Sequence, residues 1–237
     1  MRTPNDVPEI TKENWNWRYN KLVFWLKKRK LKLSNINNIM KYEQFEQYFV
    51  SKWIKPNDVV LEIGARYGAV SSCINILLQN RENHVAIEPD PHALPILKKN
   101  RKITKSKFKI CNMILGNEPI KMAFTEFGLD SGVVTNDDEN TKLVQNITVQ
   151  NFFEKYKLNF NVLIVDCEGC LCKLFEEDGD LLLQNIKLVL FEQDAEEICN
   201  YDIITNKLKA LGFKLIDKIT LKRKDYTDYS FQQVWNR

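Results

Sequence analysis

The chain lacks any apolar run near the roughly 20 residues that span a bilayer. Nor does its start carry the short apolar stretch of a secretory leader. A soluble, cytoplasmic protein without a transmembrane segment is therefore expected. Glycine is scarce, with 8 of 237 residues, which excludes a collagen-like chain. With 44% hydrophobic and 28% charged residues, the sequence is not that of a disordered tail. Its 6 cysteines are too few for a disulfide miniprotein, and without a leader they are expected to be reduced. Cys167-Glu168-Gly169-Cys170-Leu171-Cys172 invites a zinc reading. No second Cys or His pair follows at finger spacing, so packed thiols and no metal are expected. The dinucleotide fingerprint is missing too: Arg66 and Ala69 stand where glycines should follow Gly64, which speaks against NAD.

What is present fits one α/β domain with an extension. Residues 1–55 hold 12 Lys and Arg against 5 acids, and the remainder 23 against 26. The positive charge thus belongs to the leading segment, a basic and aromatic helical extension set apart from residues 56–237. Trp15, Trp17 and Leu22 to Leu26 give it an apolar surface, followed at once by Lys27, Lys28, Arg29 and Lys30. Phe45, Tyr48, Phe49 and Trp53 recur at helical spacing before Pro56-Asn57-Asp58 breaks the pattern. A solvated face is the plainer reading of this charge. Nucleic acid or an anionic surface is the alternative.

From residue 59 short apolar runs alternate with helical stretches. Strands are expected at 59–63, 84–87, 107–110, 162–165 and 187–191. Helices are expected at 68–80, 91–102, 170–184 and 195–211. Runs such as Val162-Leu163-Ile164-Val165 do not alternate with polar residues, so both faces of the strand are buried, as in a parallel sheet under helices. Residues 118–150 suggest two strands, 120–125 and 144–149, around a polar loop. The tail, 213–219 and 228–235, reads as an antiparallel hairpin.

Chemistry gathers at the strand ends. Gly64 and Gly68 frame a strand-to-helix turn after Glu62-Ile63, where a backbone approaches nucleotide-like ligands. Glu88-Pro89-Asp90-Pro91 closes the second strand, and an acid there accepts hydrogen bonds from a ribose diol. Asp90 reads better as a helix cap. Asn112 and Met113 follow the third strand, where they would bracket a flat base or simply fill core. Asp166-Cys167-Glu168-Gly169 ends the fourth, and two acids so placed are not explained by packing.

Together these stretches resemble the FkbM family of class I methyltransferases. EIGARYG resembles its glycine-rich first motif, EPDPHALPILKKN its second, and TVQNFFEKYKLNFNVLIVDCEGC its run into Asp-x-Glu-Gly, in order over about residues 57–216. The resemblance implies a Rossmann-like, doubly wound, mostly parallel seven-stranded sheet with an antiparallel last strand, and S-adenosyl-L-methionine as cofactor. Glu62, Gly64, Ala65 and Gly68 would frame its methionine part. Glu88, with Pro89, would hold the ribose, and Asn112 and Met113 would lie near the adenine. Asp166 would face the methionine ammonium or the acceptor, and Glu168 would line the acceptor side. Two departures stand out: the family commonly has Asn where Arg66 stands, and often a second acid where Leu171 stands.

Methyl transfer to a hydroxyl needs alignment and a base. Glu168 is the favoured base, with Asp166, Glu192 and His92 behind it. The resemblance suggests O-methylation of a sugar or other hydroxylated small molecule or glycan. An RNA methyltransferase, or a binding protein using the basic segment, is the alternative.

Overall fold

The computed structural model describes residues 43–124, 131–133, 141–193, 195–222 and 228–237. The expected helices of residues 1–42 lie outside that set. Of the extension, Gln44–Trp53 forms helix α1, with Phe49 and Val50 buried.

A strand and a helix then alternate: β1 (Val60–Ile63), α2 (Ala69–Leu77), β2 (His84–Ile87), α3 (Ala93–Ile103) and β3 (Lys109–Cys111). Short pieces follow as β4 (Ile114–Leu115), β5 (Ile120–Phe124), β6 (Ser131–Val133), β7 (Thr141–Val144) and β8 (Asn146–Ile147). Regular alternation resumes with α4 (Val149–Tyr156), β9 (Val162–Val165), α5 (Cys170–Leu183), β10 (Leu188–Glu192) and α6 (Tyr201–Ala210). A hairpin of β11 (Lys214–Lys222) and β12 (Asp228–Asn236) ends the chain.

Seven strands form one sheet in the order β11-β12-β10-β9-β1-β2-β3. The five from β10 to β3 are parallel, and β12 runs antiparallel to β10. This is the doubly wound sheet with an antiparallel last hairpin that the sequence predicts. Val60, Val162, Ile164 and Leu190 pack under α1 and α2, and Ala86 packs with Leu97 of α3. Leu61, Leu163 and Val189 on the opposite face meet Phe152 of α4, Phe175 of α5 and Ile204 of α6. Both faces are covered, which is why the strands read as unbroken apolar runs.

Three expectations need correction. The run 144–149 is not one strand: Val144 ends β7, Asn146–Ile147 pairs with β4, and Val149 opens α4. The Thr148 hydroxyl accepts from the Asn151 amide, an N-cap that turns the chain helical. The last long helix starts at Tyr201 and not at 195, because the Asn200 side chain accepts from the Asp202 amide and fixes the start there. Finally, the thiols are not all reduced. Cys167 pairs with Cys170 and Cys172 with Cys199, each pair with Cα atoms 5.5 Å apart, within disulfide reach. The turn into α5 and the turn before α6 create that proximity. Cys73 and Cys111 stay free and buried.

Candidate functional site

The carboxyl ends of β1, β2 and β9 open onto a cleft of about 210 Å³. Its first wall is backbone. Gly64 follows β1 with φ +90°, and a Cβ built there would lie 1.6 Å from the carbonyl oxygen of Asp166. No other residue type fits this crossing without displacing the β9 turn. The Gly64 and Ala65 amides both donate to the Ile87 carbonyl at 3.0 Å, which ties the β1 turn to the end of β2.

Arg66 comes next, with φ 45°. Asn enters this left-handed region more readily than Arg, so the turn holds a residue that its backbone does not favour. The turn aims the Arg66 amide at Glu88, whose Oε2 accepts from it at 2.6 Å. Glu88 Oε1 accepts from the Asp90 amide at 2.8 Å. Burial pushes the Glu88 carboxyl up to about 7, against the opposing pull of these amides and of the Arg66 guanidinium. The guanidinium itself binds Asp90 Oδ2 at 2.8 Å. Asp90 Oδ1 accepts from the His92 amide at 2.7 Å, so Asp90 serves the helix start as well.

Asp166, Cys167, Glu168 and Cys170 form the opposite wall. Glu168 has φ 52° and Gly169 φ 87°, and together they turn the chain from β9 into α5. Three non-glycine residues at positive φ, Glu43, Arg66 and Glu168, thus face the same cleft, and such strain gathers at functional sites. Between the walls lie Ile63, Ile87, Pro89, Ile114, Leu115, Ile120 and Met122, an apolar surface suited to a flat ring.

Of the residues singled out from sequence, Gly64, Glu88, Pro89, Asp166 and Glu168 line this cleft. Glu62, Ala65, Gly68, Asn112 and Met113 do not. The Glu62 carboxylate is buried against His84, Oε2 to Nε2 2.9 Å. Ala65 packs among Ala86, Leu97 and Phe108. Gly68 starts α2 at φ +78°, with Leu97 Cδ1 2.6 Å from where its Cβ would be. Asn112 works from behind: its amide donates to the Glu88 carbonyl at 2.7 Å and to the Pro89 carbonyl at 3.2 Å. Met113 borders a separate hollow with Asn146 and Thr148.

Sequence reasoning missed the wall from β4 and β5, the disulfide at the mouth, Glu43 and the lining role of Arg66. Arg66 carried a signal, since it interrupts a glycine motif where the chain must turn. Two-residue β4 carried none.

The family model described as the methyltransferase FkbM domain matches residues 62–215. No curated protein matches the chain in sequence. Among solved structures, the chain is similar to an O-methyltransferase from Bacillus cereus in complex with SAH, at 11% identity and a TM-score of 0.49, covering 94% of this chain and 92% of that one. It is similar to an rRNA methylase from Streptococcus thermophilus at 8% identity and a TM-score of 0.49, covering 85% of this chain and 98% of that one.

Proposed function

The chain belongs to the FkbM methyltransferase family and is an S-adenosylmethionine-dependent methyltransferase, and from that premise we propose that it O-methylates a sugar or another hydroxylated small molecule or glycan. The observation that carries this reading is the charge of the cleft. Among the described residues its lining holds four carboxyl groups, Glu43, Glu88, Asp166 and Glu168, against one guanidinium, Arg66, which is already bound to Asp90. Nucleic acids are bound chiefly through phosphate by Lys and Arg. Such a lining repels a polyanion and accepts hydrogen bonds from hydroxyls. The nucleic-acid alternative draws on basic residues that lie mostly within 1–42.

The cofactor fits on chemical grounds. S-adenosylmethionine supplies an electrophilic methyl group on a sulfonium. Glu88, buried yet open to the cleft, offers its remaining lone pairs to the ribose hydroxyls. Gly64 presents bare backbone, the apolar residues take the adenine, and Asp166 faces the ammonium or the acceptor. Glu168 is the base for the acceptor proton, ahead of Asp166, Glu192 and His92. The catalytic domain spans 56–237, after an extension over 1–55 whose α1 packs on it. A cytoplasmic location is the reading from sequence, and the two disulfides weigh against it, since a reducing compartment keeps thiols open.

The test offers methyl-labelled cofactor with a panel of glycosides and, in parallel, bulk RNA. Label is expected in the hydroxylated acceptors as an ether stable to mild base. Glu168→Gln is expected to lower kcat roughly 10²- to 10⁴-fold with S-adenosylhomocysteine affinity unchanged. Label in RNA alone would overturn the substrate class.

A further inference from the structure

Two disulfides surround one turn of the cleft wall, and they differ in access. Cys167–Cys170 brackets Glu168 and Gly169, and both of its residues line the cleft. Cys172–Cys199 lies behind it, its residues 8% and 2% exposed. Thiol–disulfide exchange needs a thiolate to reach a sulfur. A small thiol entering the cleft meets the first pair and is kept from the second. The two also differ in what they hold. A separation of 3 closes a small loop, so opening that bond leaves the fold standing, whereas a separation of 27 ties α5 to the turn before α6.

The first pair encloses a backbone conformation that needs holding. Glu168 has φ 52° and Gly169 φ 87°, and a glutamate stays in this region only where its surroundings impose it. Toward α5 the surroundings are packed: a Cβ at Gly169 would lie 2.8 Å from Ile198 Cδ1 and 3.1 Å from the Ala195 Cβ. Cys199 follows Ile198 directly, so the buried disulfide clamps that packing. Toward the cleft the turn is closed by the Cys170 amide, which donates to the Cys167 carbonyl at 3.2 Å, and by the sulfur bridge. Opening the bridge removes the covalent member of that closure and lets Glu168 relax toward negative φ.

We propose that Cys167–Cys170 is a thiol–disulfide exchange site for small thiols, and that its closed form positions Glu168 on the acceptor wall. The thiolate of one small thiol bonds to Cys167 Sγ, and the bond from Cys167 to Cys170 breaks. Cys170 leaves with the electron pair and takes up a proton. It opens α5, whose N-terminal amides favour negative charge, which makes it the leaving sulfur. A second small thiol displaces Cys167 from the mixed disulfide, and its proton passes to Cys167. The protein is reduced by two electrons to a dithiol, and the two small thiols are oxidised to one disulfide. With the turn released, Glu168 leaves its place and methyl transfer slows, and reoxidation restores both. This last step rests on the reading of Glu168 as the base; the exchange itself does not.

The test equilibrates the full chain in glutathione buffers of graded ratio, quenches with acid, labels free thiols and reads by mass spectrometry which cysteines carry label. Methyl transfer to a glycoside and S-adenosylhomocysteine binding are measured on the same samples. Cys167 and Cys170 are expected to open while Cys172–Cys199 stays closed. The kcat is expected to fall at least tenfold, with acceptor KM and S-adenosylhomocysteine affinity unchanged, and to recover on reoxidation. The double variant Cys167→Ser, Cys170→Ser is expected to hold the low kcat in every buffer. Both pairs opening together, or neither opening, overturns the site without any variant having to fold. Selective opening with kcat unchanged overturns the positioning of Glu168. Selective opening with no methyl transfer to any glycoside in either state supports the exchange site and sinks the acceptor reading.

Discussion

The two sides of the cleft are built differently. The β1–β2 side is assembled from backbone and from residues close in sequence: the Gly64 turn, the Arg66 amide and the Glu88-Pro89-Asp90 tip hold one another within 27 residues. The β9–β10 side is assembled from distant pieces. Its wall acids, Asp166 and Glu168, stand in the turn after β9, Glu46 of α1 and Glu192 of β10 gather beside Asp166, and disulfides fasten the start of α5 to its surroundings. On the proposed reading, the cofactor common to many enzymes meets a cradle of local backbone, and the acceptor peculiar to one enzyme meets side chains that the fold brings together. Locally built sites survive as motifs, whereas convergent ones leave no pattern along the chain.

The sharpest way to break the comparison is at Gly64, where the two sides touch. A Cβ there would stand 1.6 Å from the Asp166 carbonyl oxygen, which is backbone and cannot swing away. Gly64→Ala should therefore do more than weaken cofactor binding. It should displace the β9 turn and destabilise the fold by about 4 kcal/mol or more, among the large effects of single substitutions. At about 2–4 °C per kcal/mol for a chain of this size, the unfolding midpoint falls by about 10 °C. Calorimetry of the ligand-free variant measures it. An unchanged midpoint would mean that the two sides are mechanically independent.

This division explains how much could be read from sequence. The five parallel strands were legible because burial on both faces leaves runs such as Val162 to Val165 without polar alternation. Gly64, Glu88, Asp166 and Glu168 were legible because the cleft uses consecutive residues at strand ends. Glu62 was misleading. It sits in the motif yet turns to His84, since the pleat points Ile63 at the cleft and Glu62 at the other face. The β4–β8 pair is too short to show a period. The disulfides were invisible because Cys172 and Cys199 meet only when α5 and α6 pack side by side.

On the β9–β10 side the disulfides offer the next test. Cys172–Cys199 closes a loop across a sequence separation of 27. Chain-entropy reasoning gives such a loop about 3.5 kcal/mol. The double variant Cys172→Ala, Cys199→Ala should lower the midpoint by about 7–14 °C. Cys167–Cys170, with a separation of 3, closes a far smaller loop and should matter less to stability. Its removal should act on the cleft wall it lines. Identical melting of wild type with and without a strong reductant would show that the thiols are not paired in solution.

On the β1–β2 side the finer test is pH. The Glu88 carboxyl is raised from an ordinary glutamate value of 4.5 to about 7, chiefly by burial, with Arg66 and Asp90 facing it. A raised value favours the protonated folded state. The stability this group contributes is therefore complete below about pH 4.5 and lost as pH rises through about 7. The ligand-free protein should become less stable over that window, and Glu88→Gln should flatten the profile. Cofactor binding should run the opposite way. If the ionised carboxylate accepts the ribose hydroxyls, it is about one-tenth populated at pH 6 and nine-tenths at pH 8. S-adenosylhomocysteine should then bind about tenfold tighter at the higher pH, a gain of about 1.4 kcal/mol. Titration calorimetry at the two pH values reads the difference directly. An affinity that does not change with pH would remove Glu88 from the ribose and leave it a purely structural acid holding the Arg66 and Asp90 amides.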